Sequence, residues 1–146
     1  MHDFASNMKV VPLIHPQTIN GATNSSSWYD MADFGRVVFL VDVGDTDTTV
    51  DAAVYQATDS SGTGSKVISG AEITQIAATE DNRLVSIDVP QTALDIANGF
   101  RYVQLQVTVG SGTTGAVVCA LAEFYRAGEY PVTQPSDYAE QVRVDA

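Results

Sequence analysis

"FRYVQLQVTV", residues 100–109, carries the plainest periodicity in the chain. Val103, Leu105, Val107 and Val109 fall on one side of an extended backbone, and Gln104, Gln106 and Thr108 on the other. That is the period-two alternation of a half-buried strand. Working outward, "AVVCALAEFY" (116–125) is apolar on both faces, as in a central strand or one that also meets a partner. "RLVSIDV" (83–89) alternates again, Val85, Ile87 and Val89 against Ser86 and Asp88. "RVVFLVDV" (36–43) is a continuous apolar run of strand length, and "TTVDAAVYQAT" (48–58) separates Val50, Ala52 and Val54 from Asp51, Ala53 and Tyr55. Weaker strands are expected near Glu72 to Ile76 and Met8 to Ile14. "QTALDIANG" (91–99) is the one helical fragment, closed by Asn98-Gly99.

Roughly seven or eight short strands with turn signals between them, and no alternation with long helices, predict an all-β protein, an antiparallel β-sandwich or jelly roll. The predicted core is Val37, Phe39, Val41, Val54, Val85, Ile87, Val103, Leu105, Val107, Ala120 and Phe124. A single domain of 146 residues is large enough to bury such a core. Within it, residues 1–35 read as an N-terminal arm and edge segment, 36–126 as the β-sandwich core and 127–146 as a C-terminal tail. Both ends are poor in periodic apolar residues and are expected to be extended.

Charge narrows the partners. Eighteen acidic and seven basic side chains leave a formal charge of −11. Such a chain repels phosphate backbones and anionic membranes, so neither nucleic acid nor membrane is expected as a partner. The longest apolar run, Val37 to Val41, is far short of a membrane span. The N-terminus lacks a basic segment leading into an apolar one, which predicts cytosolic synthesis without a signal peptide. One cysteine, Cys119, makes no internal disulfide, so packing alone must hold the fold.

Four features invite a chemical reading. "DSSGTGSK" (59–66) places glycines around a lysine, but Ser65 separates Gly64 from Lys66, no Ser or Thr follows the lysine, and the β-branched residues beyond it do not make a helix. It lacks the phosphate-cradling spacing and reads as a connection between strands. "DVGDTDTTVD" gathers Asp42, Asp45, Asp47 and Asp51, yet neither register puts glycine sixth and glutamate twelfth as a calcium-binding EF-hand requires. Solvated turn acids are the simpler account, with an irregular ion site left open. His2 and His15 lie in the N-terminal segment without metal-ligand spacing, and Cys119 sits in an apolar strand as a small hydrophobe. No nucleophile elbow is present. The expectation is a protein that is not an enzyme and has no cofactor.

Three blocks, "SSWYDMADFGRVVFLVDVGD", "VDAAVYQATDSSGTGSKVISGAEITQI" and "LDIANGFRYVQLQVTVG", resemble a family of small tailed-bacteriophage head proteins, the decoration or cement proteins that bind the outside of an assembled capsid. The similarity spans roughly residues 27 to 126, and "QATDSSGTGSK" is its most specific piece. The resemblance implies a jelly-roll-like sandwich that self-associates as a homodimer or homotrimer. It further implies a protein that clamps major capsid protein subunits on the exterior of the virion. Phe4, Val10, Val11, Leu13, Ile14, Trp28, Tyr125, Tyr130, Val132 and Tyr138 are the expected capsid or oligomer contacts. The rival reading is a carbohydrate- or cell-surface-binding β-sandwich of a fibre or adhesin, using Trp28, Tyr29 and the Asp45 to Asp51 acids.

Overall fold

The computed structural model describes residues 4–142 and 144. After one helical turn at Phe4–Asn7 come nine strands: β1 (Lys9–Ile19), β2 (Ala22–Ser25), β3 (Tyr29–Asp30), β4 (Phe34–Thr46), β5 (Val50–Ala57), β6 (Lys66–Glu72), β7 (Arg83–Pro90), β8 (Tyr102–Val109) and β9 (Ala116–Ala127). The 91–99 fragment forms two 3-10 turns, the second closed by Gly99 in the left-handed region at φ 82°. No described helix is long and apolar enough to cross a membrane.

All pairings are antiparallel and fall into two sheets. One has the order β1-β9-β4-β7; the other runs β2-β8-β5-β6, with β3 also on β8. β2 and β3 together occupy one strand position, because Ser26 carries the ladder across the gap between them. Its N–H donates to the Leu105 carbonyl at 2.9 Å, and its buried Oγ accepts the Leu105 N–H at 3.0 Å. The first strand therefore lies beside the last, and only β5 and β6 form a simple hairpin. Eight positions in two sheets whose connections pass repeatedly between them make an eight-stranded jelly roll. Replacing Ser26 by Ala should cost about 1–3 kcal/mol, because the Leu105 N–H is then buried without its acceptor. Urea unfolding checks this, and an unchanged midpoint would show that the ladder closes without the hydroxyl.

The core fills the space between the inner faces. Val37, Phe39, Val41, Val54, Ile87, Val103, Leu105, Val107, Ala120 and Phe124 are buried as their alternation predicts. Val85 is the exception, half-buried on β7 at the margin of its sheet and packed against the cluster. β9 is central in its sheet, flanked by β1 and β4, while only its inner face is covered by the opposite sheet.

Three expectations need correction. From Lys9 onward the N-terminal segment is not an arm. β1 pairs with β9 along its whole length and buries Val11, Ile14 and Ile19. Register shifts between Pro12 and Ile14 and between Ile14 and Gln17 put these three inward at irregular spacing, which hid the period-two pattern. The prolines are tolerated because β1 is an edge strand. β6 likewise begins at Lys66, not near Glu72, and stays in the sheet of β5. A bulge at Gly70, whose φ is +80°, sets Ile68 and Ala71 inward and again breaks the alternation. The tail is extended but not free. Gln134 accepts the Val10 N–H at 2.9 Å and donates to the carbonyls of Ala5 and Met8, while Gln141 accepts the Ala5 N–H at 2.7 Å. These bonds dress the outer edge of β1, which would otherwise offer unpaired backbone groups.

Candidate interaction face

The outer face of the β1-β9-β4-β7 sheet is built by the second phase of its strands. While Val37, Phe39, Val41 and Phe124 point inward, Val38, Leu40 and Asp42 of β4 and Val117, Cys119, Leu121, Glu123 and Tyr125 of β9 point outward. Register lines them up. Leu121 stands between Pro12 of β1 and Leu40 of β4; in the next row Asp42 stands between Cys119 and Leu84 of β7. Leu84 is 68% exposed and Val117 is 42% exposed, each the second residue of its strand. The result is an apolar groove of about 340 Å³, walled by Pro12, Pro16, Leu40, Leu84, Cys119 and Leu121, with His15 and Asp42 in its lining. Solvated sheet faces ordinarily alternate polar-out, so contiguous apolar residues here mark a contact surface.

Charged groups border the groove on one side. Arg36 Nε donates to Asp88 at 3.2 Å and to the Tyr125 hydroxyl at 3.1 Å, and that hydroxyl lies 3.2 Å from Asp88. Burial and the charge of Asp42 push the Cys119 thiol above its ordinary value, so it stays a neutral apolar wall element.

The other candidate features serve structure. In the glycine loop Asp59 accepts the N–H groups of Ser61 and Thr63, at 2.9 and 3.1 Å, and the Thr63 hydroxyl at 2.6 Å; these bonds hold its carboxyl below the usual range. Gly62, at φ +82°, lies under Trp28, where an added methyl would come within 2.7 Å of the indole Nε1. Lys66 bonds Asp95 at 2.7 Å and sits 4.3 Å from the Phe100 ring centre. The loop thus closes one end of the sandwich with its lysine already paired. Lys66→Ala should shift stability by no more than about 1 kcal/mol, as exposed ion pairs do. A saturable nucleotide-binding signal in isothermal calorimetry, lost in that variant, would restore the phosphate reading.

The four acids diverge. Asp47 accepts the N–H groups of Thr114 and Gly115 at 2.7 and 2.9 Å, chiefly the latter holding its pKa down. Asp51 accepts from Gln75 in the segment between β6 and β7, next to Ile76, which bridges Val50 of β5, and Asp42 lies in the groove. Among the described residues no three His, Cys, Asp or Glu side chains gather as metal ligands would. His15 lies 3.4 Å from Asp137, and His2 falls outside the described residues.

The expected contact residues separate into three groups. Val11 and Ile14 belong to the core and Leu13 packs against it, so these are not surface anchors. Trp28 is half-buried on the glycine loop. Phe4 and Tyr130 are 45% and 46% exposed near the chain termini, with Val10, Val132 and Tyr138 half-buried; the Val132 N–H bonds to Ser6. Of the ten, Tyr125 and Val10, which stands opposite Glu123, lie on the outer face. Val38, Leu40 and Leu84 were not among the expected contacts, whereas Cys119 and Leu121 lie in the 116–125 strand that was expected to be central or to meet a partner. Their signal was the double-sided apolarity of "RVVFLVDV" and "AVVCALAEFY".

A jelly roll fixes an architecture, not a function. The sequence matches no protein-family model and no curated protein. Solved structures share the fold. The VP2 subviral particle of infectious bursal disease virus has a TM-score of 0.53 at 14% identity, over 85% of this chain and 34% of that one. This chain thus spans about a third of that protein's length. The Triatoma virus empty capsid gives 0.52 at 10% identity, over 91% of this chain and 97% of that one.

Proposed function

We propose that the chain is a phage capsid decoration protein that binds the exterior of the assembled head and stabilises it by bridging major capsid protein subunits. The apolar outer face of the β1-β9-β4-β7 sheet carries this reading, because it offers a contiguous apolar surface of the kind that partners cover. Likeness of fold to viral capsid proteins supports it. Copies on one head would reinforce each other, since linked attachment raises effective concentration. Against the carbohydrate-binding alternative, Trp28 packs on Gly62 in the 58–65 loop that follows β5, whereas Asp45, Asp47 and Asp51 lie near the start of that strand. Cosedimentation with empty heads tests the proposal. Saturable decoration, and heads that retain DNA to a higher temperature when decorated, are expected. Absence of decoration, with calcium-dependent binding on a glycan array, would replace this reading with the rival.

A further inference from the structure

Among the described residues Asp42 is the one carboxylate lining the groove, with Cys119 on one side of it and Leu84 on the other in register. Several of the protein's other acids are answered within the fold. Asp30 is met by Arg101, Asp47 by two backbone N–H groups, Asp51 by Gln75, Asp88 by Arg36, and Asp95 by Lys66 and Asn98. Among the described residues nothing plays that part for Asp42, which enters no ion pair or hydrogen bond. In water this is harmless. Once a partner covers the groove, the carboxylate is stripped of solvent between leucines, and that is costly unless a cation and its hydrogen bonds arrive with the partner.

We infer that the groove takes a protein segment carrying one Lys or Arg between apolar side chains, the cation pairing with Asp42 while its neighbours pack on Leu40, Leu84 and Leu121. The inference rests on the head-binding reading and names the chemistry of the capsid surface that this face meets. A second copy of the chain is the poorer occupant. It would bring the same face, so that Asp42, Asp88 and Glu123 meet their own copies, in a chain whose net charge is already −11. Arg36, the arginine of this face, is held by Asp88 and Tyr125, and His15 is turned toward Asp137. Charge complementarity therefore selects a basic partner over self-association here.

The experiment measures the affinity of the full chain for purified empty heads of the phage whose genome encodes it, at one fixed salt concentration, by cosedimentation. Asp42→Lys should weaken binding about thirtyfold or more, the usual consequence of leaving a covered charge pair broken. Glu72→Lys, an equal change of charge at an exposed position of β6 in the other sheet, should bind as the wild type does. Leu84→Ser, at a side chain too exposed to matter for folding, should weaken binding and so test the apolar wall independently. Thermal melts of all three variants establish that they fold. Equal affinities for Asp42→Lys and Glu72→Lys would overturn the inference while leaving head binding intact. A wild-type chain that does not bind heads would overturn both.

Discussion

Deletion of residues 1–26 is expected to leave a chain that does not fold. The cut removes β1 and β2 entirely, taking Val11, Ile14 and Ile19 out of the core and Ser26 away from Leu105. Burial of each aliphatic side chain contributes about 1.5–3 kcal/mol, so the three together approach the whole stability of a typical domain, about 5–15 kcal/mol. The loss also turns β9 from a central strand into an edge and opens its inner face to water. Circular dichroism and the dispersion of amide proton resonances would check this; a cooperative melt from residues 27–146 would contradict it. Truncation after Arg126 should behave differently. No described residue beyond it is buried, so the sandwich remains, but the edge of β1 loses the cover supplied by Gln134 and Gln141. Soluble yield should fall while the melting transition persists.

Phe124→Ala should cost about 3–5 kcal/mol and lower the melting temperature by roughly 10 °C or more. Phe124 is 1% exposed in the central strand. Its ring meets Phe34 at 5.4 Å and Tyr29 at 5.9 Å between centroids, in tilted contacts that add to burial alone. The substitution removes the hub of that cluster at the point where β3, β4 and β9 meet, leaving a cavity that a rigid sandwich closes only in part. Leu105→Ala, equally buried but without aromatic neighbours of this kind, should cost about 2–5 kcal/mol. Chemical denaturation measures both. A midpoint unmoved in either variant would mean that the residue faces solvent and that the phase of its strand is the opposite one.

Where strands were regular, their inward residues could be read directly. The alternation of 103–109 and of 36–43 placed Leu105, Val107, Phe39 and Val41 correctly, because a flat ladder sends every second side chain to one face. β1 and β6 resisted for one shared reason. Each is bulged, β1 at two places with one extra residue at each and β6 with three extra residues between Val67 and Glu72; this resets which side chains point inward, so their buried positions fall three or more apart and mimic no regular element. Leu40 and Leu121 were visible as apolar residues, but a strand apolar on both sides reads equally well as central in a sheet covered on both faces. Only the absence of any layer over this sheet turned them into a surface.

Composition and local periodicity by themselves determined that the chain is all-β, acidic, without disulfides, and divided into short strands by glycine and proline turns. These properties depend on neighbouring residues, and neighbours are what a sequence displays. The partner of each strand was decided only in the tertiary structure. Lys9 lies opposite Phe124, and Arg36 opposite both Pro90 and Tyr125, pairings between segments far apart along the chain. The convergence of Pro12, Leu40, Leu84, Asp42 and Leu121 on one groove follows from that strand order and register. No local pattern records it, because register between distant strands is set by how two whole sheets pack their inner faces together.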